Sequence, residues 1–256
     1  MKKISLTQPA YAVPALDKGL DILEALAQSD SALTLSALAR QLGRGNTEIF
    51  RMLNRLEARG YVLRDESGGY RLSLKLFQLA RVASPLNRLL ELAAAPLREL
   101  AHKLGQSCHL GVIEGGELVV IASADPPTRI RLSIAVGSRF DIAATVSGRA
   151  LLADMHESER AALLKSSLRF KKMKAPERRE FLQQLSQTSA RQCHTAIDES
   201  IAGVADYAIT VGGPTLAIHA AIAVPAMLRK RHAGDPQSTI CRALANCAKS
   251  IESALV

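Results

Sequence analysis

The 256-residue chain lacks any run of about 18 apolar residues, which excludes a long hydrophobic membrane helix. The stretch before Pro9 carries two lysines but no continuous apolar segment, so no secretory signal is expected and the cytoplasm is the default compartment. Only four cysteines occur (Cys108, Cys193, Cys241, Cys247), with no CxxC pair and no Cys/His cluster. Neither a metal site nor a disulfide framework is expected from that scatter. No GxSxG elbow, P-loop or dinucleotide fingerprint is present, so no cofactor is expected. The run HTAIDES holds His, Asp and Ser, but a catalytic triad is a matter of spatial geometry that no spacing establishes.

What remains is an ordinary soluble composition, 48% hydrophobic and 22% charged, long enough for one large domain or two small ones with proper cores. The net charge of +9 points to a polyanionic partner only if it is localised. Residues 1–39 carry three Lys/Arg against four Asp/Glu. Residues 40–81 carry nine against four, whereas 84–256 carry 21 against 16 over about four times the length. The basic density therefore peaks in the first third.

That third reads as three helices and a hairpin. PALDKGLDILEALAQ starts with a proline and places Leu16, Leu20, Leu23 and Leu26 on one helical face. In SALTLSALARQLG, Thr34 is an N-cap, Leu35, Leu38 and Leu42 form the stripe, and Gly43 suits the C-terminal turn. A third helix runs from near Asn46, itself a candidate cap, to Gly60, with Ile49, Met52, Leu53 and Leu56 as its apolar stripe. A tight Gly-Arg-Gly link between the last two matches a helix-turn-helix. Tyr61–Asp65 and Tyr70–Ser73 alternate in polarity around a turn-forming 66–69, which predicts a hairpin wing.

The opposite face of the third helix is polar: Asn46, Thr47, Glu48, Arg51, Asn54 and Arg55, with Arg44 just before it. A solvated surface helix explains such a face, but so does a helix laid in the major groove. There, Arg51 would take guanine in a bidentate pair and Glu48 would accept from a cytosine amino group. Arg64 and Arg71 on the hairpin are spaced to reach flanking phosphates, which supply affinity and register.

Beyond the hairpin, LKLFQLARVA and LNRLLELAAAPLRELAHKLG are helical, with a break at Pro85. SCHLGVI, ELVVIAS and RIRLSIAV follow as β-rich runs, Gly115-Gly116 turning between the first two. Helices are expected over 145–155, 157–165 and 176–191. YAITVG and IHAAIAVPAM read as strands, and a final helix spans about 236–254. This is an α+β pattern on a mostly antiparallel sheet. The basic runs RFKKMK (169–174) and RKRHAGD (229–235) read as exposed, solvated turns.

The segments ALDKGLDILEAL, LTLSALARQLG, RMLNRLEARGYVLRD and GGYRLSLKLFQLA together resemble the DNA-binding domain of IclR-family transcription regulators. The resemblance continues through ELAHKLGQSCHLGVIEGGELVVI, AATVSGRALLA and IDESIAGVADYAITV, in the family's order. It implies a winged helix-turn-helix over 13–73, a linker helix over 74–84, and a GAF-like effector-binding and oligomerisation domain over 85–256. It further implies a homodimer or dimer of dimers on a palindromic operator in double-stranded DNA, and a small carboxylate as effector. The leucine-rich stretch 86–104 would then pack against a partner.

Departures from the family are specific. Its Leu-Pro-Lys-Ser-Thr run is RGNTE here, and Glu48 in place of a small hydroxyl implies a different operator preference. Its His two residues before the Thr of the TAxGKA motif is Ala143, and its Lys is Arg149. Effector-contact candidates are His109, Ala144, Thr145, Gly148, Asp206 and Ala223. Thr145 and Gly148 would sit at a helix N-terminus offering N–H groups to an anion, or would serve as a cap and a packing glycine. Ala223 and Pro225 replace polar contacts, suggesting a less polar pocket. A competing reading is a metabolite-binding enzyme using His109, Asp198 and Asp206, with N-terminal helices that only oligomerise. Such helices need no Arg/Thr/Asn face, and this chain has one.

Overall fold

The computed structural model describes residues 13–83, 86–187, 192–199, 201–213, 218–228 and 236–255. The chain divides into two compact units, Met1–Ser84 and Pro85–Val256.

In the first unit, α1 (Pro14–Ala27), α2 (Leu35–Leu42) and α3 (Asn46–Ala58) precede β1 (Val62–Arg64), β2 (Tyr70–Leu72) and α4 (Lys75–Ala83). Thr34 caps α2 by accepting from the Ala37 amide at 3.2 Å, and Gly43 ends the helix in the left-handed region at φ 62. The cap of α3 is Gly45 rather than Asn46, which lies inside the helix. The buried face of α1 is also shifted from the leucine stripe: Ile22, Ala25 and Leu26 are buried, whereas Leu16 and Leu20 are 58% and 47% exposed. Only the C-terminal half of α1 reaches the core made by Leu38, Ile49, Leu53, Val62 and Tyr70. The hairpin pairs Val62 with Leu72 and Arg64 with Tyr70. Leu33 adds a bridge, exchanging both backbone hydrogen bonds with Tyr70 at 2.8 and 2.9 Å, so the wing is stitched to the segment before α2.

The second unit runs α5 (Leu86–Leu104), β3 (Cys108–Glu114), β4 (Glu117–Ala124), β5 (Arg139–Asp141), α6 (Val146–Asp154), α7 (Glu157–Ser166), α8 (Leu168–Lys172) and α9 (Ala175–Gln187). It ends with β6 (His194–Ile197), β7 (Val204–Gly213), β8 (Ile218–Met227) and α10 (Pro236–Leu255). The sheet order is β5-β4-β3-β8-β7-β6, and every neighbouring pair is antiparallel. Alternation along each strand separates two faces. Cys108, Leu110, Val112, Ile222 and Val224 join Leu89, Leu97, Leu244 and Ile251 of α5 and α10 in one core. The other face carries α6, whose Val146 and Ala150 pack on Ala196, Ala208 and Ala223.

Several expectations need correcting. One face of α5 goes into this unit's own core, with Leu89, Ala93, Leu97, Leu100 and Ala101 buried within it, while Leu90 and Leu92 are half-buried outside that core. RIRLSIAV forms no strand: its alternation lies in an irregular connection to the edge strand β5, with Ile130 exposed. Part of the basic run 169–174 is the short helix α8, capped by Ser167 accepting from Phe170 at 3.0 Å. The edge strand β6 takes up the first four residues of the HTAIDES run. Cys193 and Cys241 form a disulfide with Cα atoms 5.5 Å apart. Forty-eight residues separate them, and only the tertiary fold, carrying 193 to the side of α10, brings their Cβ vectors together. The predicted break at Pro85 and the basic turn 229–235 lie outside the described residues.

Candidate nucleic-acid interface and ligand cavity

On α3, burial and exposure split cleanly. Ile49 and Leu53 are fully buried in the first unit's core. Asn46, Thr47, Arg51, Asn54 and Arg55 are exposed, and so are Arg64 and Arg71 on the wing. The guanidinium of Arg64 lies 5.5 Å from the centre of the Tyr70 ring, a cation–π contact that limits its swing. Asp65 closes the wing turn by accepting from the Gly69 amide and the Ser67 hydroxyl, each at 2.7 Å. Those bonds, the Ser67 hydroxyl first, hold its carboxyl below the usual range.

Arg44 and Glu48 are placed differently from the rest. Arg44 donates to Asp21 of α1 at 2.9 Å. Glu48 is paired with Lys18 of α1, and the other Arg44 nitrogen stands 3.9 Å from it. Hydrogen bonding from Lys18 is the main influence holding the Glu48 carboxyl below its usual range. These two side chains fasten the start of α3 to α1. One exposed residue escaped the sequence reading: Phe50, 42% exposed, beside Thr47, Arg51 and Asn54. Only its place between polar positions signalled it, and a period count skips such a residue.

The second unit contains a cavity of about 510 Å³ between the sheet and α6. His109, Ala144, Thr145, Asp206 and Ala223 all line it. Gly148 does not. Its amide donates to the Thr145 hydroxyl at 3.0 Å, and a Cβ there would stand 2.0 Å from the Ile142 carbonyl oxygen, so it is a close-packing glycine. The strand register explains the gathering. His194, Ala208, Ala223 and His109 form one row across β6, β7, β8 and β3, and Ala196, Asp206 and Pro225 form the next. The small side chain of Ala223 in the first row leaves room above it.

The polar groups around this space are in distinct states. His109 is 5% exposed, and burial pulls its imidazole down to about 4, so it is neutral at pH 7. Among the described residues its side chain has no hydrogen-bond partner. His194 is likewise pulled down to about 4, by burial and then by the charge of Arg149. Asp141 is occupied: it accepts from the Ser167 hydroxyl at 2.6 Å and from the amides of Ala143 and Arg169 at 2.9 Å. Burial raises its pKa, and those hydrogen bonds outweigh the burial.

Arg149 and Glu199 also line the cavity and are joined at 2.6 Å. Neither was among the expected contacts. Arg149 was legible as the residue one turn beyond Thr145, but nothing in the spacing announced Glu199. Asp198, the one described non-glycine with positive φ (60), turns the chain there. Its carboxylate accepts from the Gly203 amide at 2.6 Å, and its own amide donates to Val204. Among the described residues there is no cluster of three or more metal-ligating side chains and no helix able to cross a membrane.

A polar-faced helix of a winged helix-turn-helix and a separate ligand-sized cavity are the parts of a ligand-responsive regulator. The model for the bacterial transcriptional regulator IclR C-terminal domain matches residues 84–253, and that for the IclR helix-turn-helix domain matches 15–66. The chain belongs to the IclR family of transcriptional regulators. It is 29% identical over 220 residues to the HTH-type transcriptional regulator BhcR of Paracoccus denitrificans, covering 80% of this chain and 78% of that one. It is 27% identical over 153 residues to XynR of Escherichia coli, covering 59% of this chain and 61% of XynR, less than two thirds of its length. The fold matches an IclR homologue from Microbacterium hydrocarbonoxydans crystallised with 4-hydroxybenzoate. The TM-score is 0.75 at 20% identity, over 94% of this chain and 98% of that one. Family membership makes this a transcription regulator with a DNA-binding helix-turn-helix domain and an effector domain, and not an enzyme.

Proposed function

We propose that this IclR-family regulator binds a palindromic operator as a homodimer or dimer of dimers in the cytoplasm, and that a small organic acid in the second unit's cavity controls that binding. The observation that carries the reading is α3 itself. Its Ile49 and Leu53 are sealed in a core while Asn46, Thr47, Arg51 and Asn54 stand exposed. Arg51 supplies a bidentate donor for guanine, Thr47 and Asn54 are further base-edge partners, and Phe50 offers an apolar surface to a thymine methyl. Arg64 and Arg71 hold flanking phosphates.

One α3 makes too few base contacts for strong specificity, so two half-sites are needed. The exposed Leu16 and Leu20 of α1, with Phe77 and Leu79 of α4, give the first unit apolar surface suited to a second copy. An acid as effector is supported by Arg149 and the N-terminal turn of α6 at the cavity. The 4-hydroxybenzoate bound by the Microbacterium homologue is of this chemical class.

The test is an anisotropy titration with DNA from the gene's own upstream region, against scrambled competitor at fixed salt. Binding that survives the competitor, and that shifts with an added organic acid, is the expected result. If selection from pooled genomic DNA, with and without pooled acids, recovers no site, the operator reading fails.

A further inference from the structure

We infer that the cavity recognises its acid by ion-pair exchange: the ligand carboxylate replaces Glu199 on Arg149, while a hydroxyl or carbonyl elsewhere on the ligand hydrogen-bonds His109. This rests on the reading of the second unit as an effector domain and names the ligand class and the residues that select it.

His109 is the first observation. Its imidazole lines the cavity with no hydrogen-bond partner among the described residues, so its nitrogens are open to a small molecule entering there. Being neutral, it has one N–H to donate and one nitrogen to accept. That chemistry suits a hydroxyl or carbonyl and contributes no net charge. Charge selection must come from elsewhere.

Arg149 is the second. Its side chain is 20% exposed, while that of its partner Glu199 is 53% exposed, so the cation faces inward and its partner stands on the solvent side. Ion pairs to exposed carboxylates are weak, since water and salt compete for them. A ligand carboxylate entering the cavity meets the guanidinium from the drier side, where the same pair is stronger. Arg149 and Thr145 are one helical turn apart on α6, so the first-turn amides add to the positive potential.

The two poles come from different elements of the cavity wall. Arg149 stands on α6 and His109 on β3, and both line the cavity. Ala223, Phe140 and Ile134 line the cavity with apolar surface. The ligand class is therefore a hydroxy or oxo acid with an apolar body separating its two polar ends.

The experiment is calorimetric titration of the purified full chain, without DNA. The probes are 4-hydroxybenzoate, 4-hydroxycinnamate and 4-hydroxybutyrate, each paired with its uncharged amide. At least one acid should bind about tenfold more tightly than its amide, the gain of one charge-assisted pair. Glu199→Gln should tighten that acid several-fold and leave the amide unchanged. Arg149→Gln should erase the preference and Arg149→Lys should restore part of it, with thermal melts confirming that each variant folds. Equal binding of acid and amide overturns the proposal. So does an acid affinity unmoved by Glu199→Gln, or no acid binding to either the wild type or Glu199→Gln. Because no DNA is present, these outcomes are independent of the operator assay, whose failure would instead remove the regulator reading.

Discussion

A side-chain carbon on Gly148 would lie 2.0 Å from the carbonyl oxygen of Ile142. The first turn of α6 is thereby pressed against the segment that follows β5, and Thr145 completes the arrangement by accepting from the Gly148 amide at 3.0 Å. Gly148→Ala forces α6 or residues 142–145 to move, an overpacking cost of about 1–3 kcal/mol. Thermal unfolding of the variant should show that loss, with weaker binding in the cavity that α6 roofs. An unchanged melting temperature would mean that the segment yields freely.

The first unit was largely legible because its signals are local. Thr34 and Gly43 mark α2, and the wing announces itself by alternation around a turn. Where local reasoning slipped, tertiary contact had decided. Leu16 and Leu20 fit the period of α1, yet only its C-terminal half meets the core. In the second unit, the residues that gather at the cavity lie on separate strands and one helix. Alternation along SCHLGVI sets His109 opposite Cys108 and Leu110, but register alone places it beside Ala223 of β8. Arg149 and Glu199 are 50 residues apart, and Cys193 meets Cys241 across 48. No spacing rule connects such pairs.

Arg51 and the wing arginines should fail in different ways. Arg51→Ala removes a base-edge donor, so specific binding should weaken by about 1–3 kcal/mol and the preferred base at one position should relax. Arg71→Ala should weaken operator and scrambled DNA alike and lower the salt dependence by roughly one counterion. Glu48→Gln should leave base preference unaltered, because Lys18 and Arg44 already hold that carboxylate. A change of preferred base in Glu48→Gln would place its carboxylate in the groove after all.

Reduction of Cys193–Cys241 should loosen the second unit. A cross-link closing a loop of 48 residues restricts the unfolded chain by about 4 kcal/mol on the chain-entropy model. A reductant should therefore lower the melting temperature of the wild type, and Cys193→Ser should melt at that lower temperature with no further response to reductant. If reductant leaves the wild type unmoved, the two thiols are unlinked in solution.

His109 sets a sign for the pH dependence. Its folded-state value is pulled from 6.5 to about 4 by burial, so below pH 6.5 the unfolded chain binds a proton that the folded chain refuses. Stability is unaffected above that point, falls as pH drops from 6.5 towards 4, and levels off below it. The loss from this one group reaches at most about 3 kcal/mol. His194, pulled down in the same direction, adds to the slope. Melting temperatures between pH 7.5 and 4.5 should show a steeper decline for the wild type than for His109→Gln, which keeps hydrogen-bonding groups but does not titrate. A parallel decline would mean that water reaches the imidazole and the cavity floor is wet. An acid bound in the cavity should steepen the wild-type curve, since its stabilisation draws on the neutral imidazole and is lost as low pH protonates it.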